Sequence, residues 1–367
     1  MRSSTIRAWS QVHTWTSLVC TGFLLMLCLT GLPLIFHDAT WEAANPDGPL
    51  LDLDSLLAGA LEHRPGEVPI FMSFDIDRPV VNVTTGPSAD APGTDMHFAS
   101  FDRTSGALVP PADVGGAVMD FLLQLHTDMF LGLAGMLFLG GMGTLFLAAV
   151  VSGVVLYAPF MRKLEFGTVR RAQSARLKWL DYHNLLGVVT VAWVLVVGLT
   201  GVMNTLATPI IDNWKTHELA DLVAPFADAP QPVAFASLDA AVTRAVAEAP
   251  GMELQFVAFP GSGFSTDYHY AIFLHGQTPL TEHIIAPALV SAADGRFAGM
   301  REMPWYVKAL SLSGPLHFGD YGGLLLKLAW AALDVITIIV LGSGLYLWIT
   351  RIRAKRAVPG RIPADVS

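Results

Sequence analysis

The sequence predicts an α-helical membrane protein with four transmembrane helices in two tandem repeats, each repeat carrying an α+β domain outside the bilayer. Three observations point there. Four runs, at about 15–36, 129–160, 184–211 and 324–350, are apolar over the roughly 20 residues needed to cross a bilayer core. Landmark residues recur at a constant spacing between the two halves of the chain. Lys and Arg fall on one side of the four runs, as the positive-inside rule requires.

Composition agrees with the first observation. Of 367 residues, 53% are hydrophobic and 14% charged, and the mean hydropathy is +0.50. Residues 1–36 hold the inner N-terminus and first helix. Arg2 and Arg7 precede an apolar stretch longer than a signal-peptide core, and no small-x-small cleavage site follows directly. An uncleaved anchor helix is expected. Residues 37–125 form the first outer domain, 126–160 the second helix, 161–182 a basic inner loop and 183–211 the third helix. The second outer domain is 212–316, the fourth helix 317–350, and the inner tail 351–367. The N-terminus, the inner loop and the tail carry 13 of the 22 Lys and Arg residues. Both termini are therefore expected inside and both long acidic segments outside. The net charge of −9 excludes a nucleic-acid binder, which needs a basic surface. Cys20 and Cys28 both lie in the first helix, and neither a CxxC nor a zinc pattern occurs.

The repeat is read from six landmarks. His13, Thr30 and Gly31 recur 170 residues later as His183, Thr200 and Gly201. His126, Ser152 and Gly153 recur 191 residues later as His317, Ser343 and Gly344. In the outer domains, amphipathic segments at 55–66 and 237–251 each end in Pro-Gly. Each precedes alternating segments that read as strands: "IFMSFDI", "VVNVTT" and "MHFASFD" in the first copy, "LQFVAF", "YHYAIFL" and "HIIAPALVS" in the second. Parallel repeats of this kind place a pseudo-twofold axis along the membrane normal.

Depth then sorts the histidines. His13 and His183 start helices that run outward, so both belong near the inner face. His126 and His317 start helices that run inward, so both belong near the outer face. Two facing imidazoles suit the two axial positions of a six-coordinate b-type haem, and two such haems would conduct electrons across the bilayer. Gly31, Gly201, Gly153 and Gly344 allow close helix approach or make room for a flat macrocycle. Intramembrane histidines also serve metal or proton paths, and a single interfacial histidine needs no function. A continuous helix from His317 to Arg351 would be about 50 Å long, more than a bilayer core requires.

The stretches "VHTWTSLVCTGFLLMLCLTGLPLIF" (12–36), "LQLHTDMFLG" (123–132), "LDYHNLLGVVTVAWVLVVGLTG" (180–201) and "GPLHFGDYGG" (314–323) resemble the PepSY-associated transmembrane family, especially its siderophore-iron reductase members. The resemblance covers nearly the whole chain. It implies four membrane helices, two periplasmic PepSY-type domains and two b-type haems in a bacterial inner-membrane protein. It also implies a ferric-siderophore reductase, in which electrons from the cytoplasmic side reduce Fe(III) to Fe(II) in the periplasm. By motif position the haem-ligand role falls on His13, His126, His183 and His317. The family is functionally mixed. A quinol-linked cytochrome b for another periplasmic acceptor stays open, as does a haem-free PepSY sensor or peptidase regulator.

Further candidates follow. Asp334 lies inside the fourth helix with Lys327 two turns earlier, placed to orient a ligand histidine or propionate, to move a proton, or to pair with Lys327. Arg162, Lys163, Arg351 and Arg353 read as topology signals and as partners for inner propionates. His37 and Met129 are rival axial ligands. Phe318, Tyr321 and Trp305 are candidates for contact with a ferric chelate, while Trp41, Trp214, Trp305 and Tyr306 also suit an aromatic belt. His63, His97, His269, His275 and His283 fit no known metal spacing. The absence of a phosphate loop or nicotinamide fingerprint leaves the donor to a cytoplasmic partner or a membrane quinol.

Overall fold

The computed structural model describes residues 3–36, 48–76, 78–109, 116–161, 165–226, 232 and 234–356. Two compact units emerge. One gathers 1–37, 115–207 and 313–367, the other 38–114 and 208–312.

The elements run in chain order. Helix α1 spans Ser3–Leu34 and α2 Leu53–Glu62. Four strands follow: β1 (Val68–Phe74), β2 (Val80–Gly86), β3 (His97–Asp102) and β4 (Leu108–Val109). Next come α3 (Gly116–Thr127), α4 (Leu133–Met161), α5 (Ala175–Thr205), α6 (Ala207–Trp214), the short α7 (Ala220–Val223) and α8 (Leu238–Glu248). Strands β5 (Met252–Ala258), β6 (His269–Gly276), β7 (Ile285–Ser291) and β8 (Phe297–Met300) lead to α9 (Trp305–Phe318) and α10 (Gly323–Arg356).

Four helices are long and apolar enough to cross a membrane, and they make this a membrane-embedded protein: Ser3–Leu34, Leu133–Pro159, Ala175–Thr205 and Asp320–Ala354. Helix α1 packs on α4 and α10, and α5 packs on the same two, closing a four-helix ring. Cys20 and Leu24 of α1 meet Leu341 of α10, with Met142, Leu145 and Phe146 of α4 alongside.

Helices two and four begin later than the sequence suggests, because a turn precedes each. After α3 the chain reverses through Met129 (φ 54°), Phe130 (φ 61°) and Gly132 (φ 58°). The Asp128 side chain steadies this left-handed turn by accepting from the Phe130 N–H at 2.8 Å. The turn's backbone lies so close to α4 that a Cβ at Gly135 would overlap the Asp128 carbonyl. After α9 the chain turns at Gly319 (φ 83°) and Gly323 (φ 56°). The continuous helix expected from His317 to Arg351 is therefore broken. Glycine takes these angles without a Cβ clash. Lys327 pairs with Asp320 of this turn at 3.1 Å. The third helix ends at Thr205, short of the expected 211, and α6 begins after Leu206.

The sheet unit holds one antiparallel sheet of order β4-β3-β2-β1-β5-β6-β7-β8. The two outer α+β domains expected from the sequence thus share a single sheet. Strands β1 and β5 join its halves, pairing Phe71 with Ala258, Met72 with Val257 and Ser73 with Phe256. An unpaired edge exposes a ladder of N–H and C=O groups, and this pairing removes two such edges. Helices α2 and α8 cover one face through Leu53, Leu56, Leu238, Ala241 and Ala245, against Met72, Val83 and Ile272. They cap each other. Asp54 in the first turn of α2 accepts from the Leu238 N–H (2.7 Å) and the Ser237 hydroxyl (2.5 Å). Asp239 of α8 accepts from the Leu53 N–H (3.2 Å). Each carboxylate satisfies orphan donors at the other helix's positive end. On the opposite face Trp214, Leu219, Phe273, Leu289 and Val307 form a second core. Strand β6 is consequently buried on both faces along most of its length.

Candidate functional site

The helix unit brings the four histidines together as two pairs. The rings of His13 and His183 have centres 6.4 Å apart and planes inclined by 71°. Those of His126 and His317 are 6.3 Å apart, inclined by 62°. Two imidazoles bonded through one nitrogen each to opposite sides of a single metal, at about 2 Å, place their ring centres roughly 6 Å apart.

Every ring docks in the same way. His13 Nδ1 lies 2.9 Å from the Ala149 carbonyl and 3.2 Å from Ser152 Oγ. His183 Nδ1 lies 3.1 Å from the Val340 carbonyl and 3.0 Å from Ser343 Oγ. His317 Nδ1 lies 3.0 Å from the Val197 carbonyl and 3.2 Å from Thr200 Oγ1. His126 Nδ1 bonds Thr30 Oγ1 at 2.9 Å and the Leu27 carbonyl. A carbonyl only accepts, so Nδ1 carries the proton in all four rings. Nε2 therefore keeps its lone pair, which is the tautomer a metal needs. A carbonyl or hydroxyl partner on the far nitrogen is the usual support of a metal-bound histidine.

The glycines explain how the rings fit. A Cβ at Gly31 would come within 3.0 Å of His126 Cε1, and at Gly201 within 3.0 Å of His317 Cε1. At Gly153 it would lie 3.2 Å from His13 Cε1, and at Gly344 3.3 Å from His183 Cε1. So Gly31 and Gly201 each seat an imidazole from a neighbouring segment. In every case the hydroxyl residue precedes the glycine, and the accepting carbonyl lies one turn earlier on the same helix. The sequence marks Thr30-Gly31, Ser152-Gly153, Thr200-Gly201 and Ser343-Gly344 as repeats. Their role as ring sockets needs the helix neighbours to be known.

A cavity of 460 Å³ opens beside the first pair. Its lining includes His13, His183, Tyr157, Trp348, Arg176 and Arg351. That volume is in the range of small-molecule and cofactor pockets.

The remaining candidates sit as follows. Asp334 is 5% exposed, and its Oδ2 has no hydrogen-bond partner among the described residues. Its neighbour is the Cys28 thiol of α1, while Lys327 pairs with Asp320 instead. Phe318 packs its ring 5.6 Å from that of His317. Tyr321 lies in the turn 320–322 between α9 and α10. Trp305 opens α9 in the sheet unit and is 78% exposed. Trp214, expected in a membrane belt, is instead buried in the second core of the sheet unit. Tyr306 accepts from Asn213 Nδ2 at 3.1 Å and donates to Glu218 at 2.7 Å. Met129 stands in the left-handed turn after α3. His37, Trp41, Arg162 and Lys163 lie outside the described residues.

Five histidines of the sheet unit weighed as metal ligands are dispersed. His63 packs on Phe101, His97 on Glu67, His269 on Thr266 and His283 on Glu282, and His275 bonds the Gly276 carbonyl. Among the described residues no three His, Cys, Asp or Glu side chains cluster as metal ligands.

Comparison with known proteins agrees with these helices. Residues 10–351 match the family described as the PepSY-associated TM region. The chain is also similar to an uncharacterized protein of Pseudomonas aeruginosa, with 26% identity over 253 residues. That match covers 64% of this chain and 64% of the relative's own length.

Proposed function

The chain belongs to the PepSY-associated TM region family, and on that premise we propose that it is a two-haem ferric-siderophore reductase of the bacterial inner membrane. It carries electrons from the cytoplasmic side to Fe(III) held by a siderophore in the periplasm. One electron per metal gives Fe(II), which the hard-oxygen chelate holds less tightly. The electron comes from a reduced cytoplasmic partner or a membrane quinol.

The observation that carries this reading is the pair of facing imidazoles at each end of the helix unit. In each pair the ring centres stand at the spacing of two imidazoles held on opposite sides of one metal, and each ring keeps a neutral Nε2. No third His, Cys, Asp or Glu joins either pair among the described residues, so a bare ion would lack its other ligands. A planar macrocycle brings four of its own. A b-type haem held there supplies one-electron exchange with no open coordination position. His13 and His183 would hold the inner group, and His126 and His317 the outer. Ser152, Ser343, Thr30 and Thr200 orient the four rings and, with the carbonyls beside them, strengthen Nε2 as a donor. The four rings sit half-buried among the side chains of α1, α4, α5 and α10.

We read the chain as two tandem copies of one helix, outer-domain, helix unit. The offsets of 170 and 191 residues support this, as does the shared order of α2 with β1–β4 and α8 with β5–β8. The basic inner loop and tail support cytoplasmic termini and a periplasmic sheet unit. Phe318 and Tyr321, close to His317 in the chain, are the aromatic surface we assign to the chelate.

Spectra of the purified protein, oxidised and reduced, test the proposal. Two low-spin b-type haems per chain, reoxidised by a ferric siderophore, are expected. Haem that is reoxidised only by another acceptor would favour a quinol-linked cytochrome b. A protein that binds no haem would favour a sensor or peptidase regulator.

A further inference from the structure

The cavity beside His13 and His183 has a charge pattern of its own. Arg176 and Arg351 both line it, and none of its lining residues is an Asp or Glu. Arg176 precedes His183 by seven residues on α5. Arg351 follows Gly344, the socket of His183, by seven residues on α10. Seven residues are close to two turns, about 10 Å, so each arginine shares a helix face with its landmark. The two helices are antiparallel neighbours. Both guanidinium groups therefore lie toward the same end of the bundle, on the α5–α10 side of the histidine pair. No ion pair engages either arginine among the described residues. Arg170, by contrast, is committed to the buried Asp181 through bonds of 2.7 Å and 3.0 Å.

We infer that this cavity takes a dianionic ligand, and that Arg176 and Arg351 each receive one of its two carboxylates. The inference rests on the haem reading above and deepens it. On that reading Arg176 of α5 and Arg351 of α10 would hold the carboxylates of the inner group, and His13 and His183 its metal. Guanidinium is suited to this task because its planar fork matches a carboxylate and stays charged at any physiological pH. The sites are exposed at the end of the cavity, so each contact is modest and screened by salt.

The test measures haem loss from the purified holoprotein to an excess of apomyoglobin. Arg176→Gln and Arg351→Gln are compared with Arg176→Lys and Arg351→Lys. Each Gln variant is expected to lose one of the two haems about fivefold faster than wild type, and the Lys variants less so. The second haem serves as an internal control that the helices are folded. Apoprotein refilled with the dimethyl ester of the same iron porphyrin, which lacks both carboxylate charges, should lose it equally fast from wild type and Gln variants. Equal loss of the natural haem from wild type and both Gln variants would overturn the inference and leave the haem reading intact. So would a fivefold effect that persists with the ester. A wild-type protein with no haem would overturn both.

Discussion

The rings of His126 and His317 have centres 6.3 Å apart, and each is anchored by a Thr-Gly pair on a membrane-crossing helix. His126 docks on Thr30-Gly31 of α1, and His317 docks on Thr200-Gly201 of α5. Neither residue of the pair lies on a membrane-crossing helix. Each ends a short helix that a left-handed turn separates from the next span.

The sockets give the first prediction. Gly31→Ala would put a methyl group 3.0 Å from His126 Cε1, so the ring must shift and the donor nitrogen with it. Loss of one bound haem, or its conversion to a high-spin spectrum, is expected, with the other unchanged. Gly22→Ala, where nothing lies within 4 Å, should leave both spectra intact. Absorption spectroscopy of the two variants checks the contrast.

The hydroxyls give the second. Thr200→Val keeps the shape of the socket and the Val197 carbonyl but removes one acceptor from His317 Nδ1. Outer partners of metal-bound histidine are typically worth about 10–100-fold in affinity. With the carbonyl retained, the lower end, about tenfold faster haem loss from one site, is expected in a haem-transfer assay.

The turn before α10 gives the third. Gly319 has φ 83°, and its Cα faces the Trp330 ring at a distance that would put a Cβ 3.1 Å from it. Gly319→Val is strained by both conformation and space. Because His317 lies two residues earlier, the variant should lose one haem and keep the other, as judged by the haem-to-protein ratio.

Much of this was legible in the chain, and the limits have physical causes. The strands were marked by alternation and the membrane helices by length, because each pattern reflects one element's own environment. That β1 and β5 would zip the outer domains into one sheet was not legible. Pairing of two edge strands depends on their meeting in space, and Phe71 and Ala258 are far apart in sequence. The breaks before α4 and α10 fall at Gly132, Gly319 and Gly323, but a glycine there does not by itself tell a turn from close helix packing, and a continuous helix was expected after His317. Met129 and Phe130 gave no such sign, because their left-handed angles are imposed by the Asp128 bonds and the contact with Gly135. The four paired histidines stood out by symmetry. Arg176 did not, since a cation at the inner end of a helix reads first as a topology signal.

The shared sheet gives the fourth prediction. Met72 and Val257 are fully buried partners across the β1–β5 junction. Met72→Ala should cost about 2–5 kcal/mol, read as a lower melting temperature of the sheet unit. Both halves should melt in one transition, because residues from each build the same core.

Alkaline pH gives the fifth. Burial, helped by the nearby Asp54 charge, pushes the Tyr270 phenol up to about 12, from about 10 in an unfolded chain. The folded state thus holds this proton longer than the unfolded state. The stabilisation is complete below about pH 10 and is lost as pH rises towards 12. Tyr270→Phe should flatten that decline, while giving up the bond from the phenol to the Ala236 carbonyl. Urea titrations at pH 8, 10 and 11 of both proteins check it.

The most direct test of the central claim is the haem-to-protein ratio of wild type beside single His→Ala variants at all four positions. Two haems are expected in wild type and one in each variant. The two variants of a pair should lose the same spectral component, His13 with His183 and His126 with His317. A wild-type protein that stays colourless after incubation with haem, or variants whose losses pair His13 with His126, would contradict it.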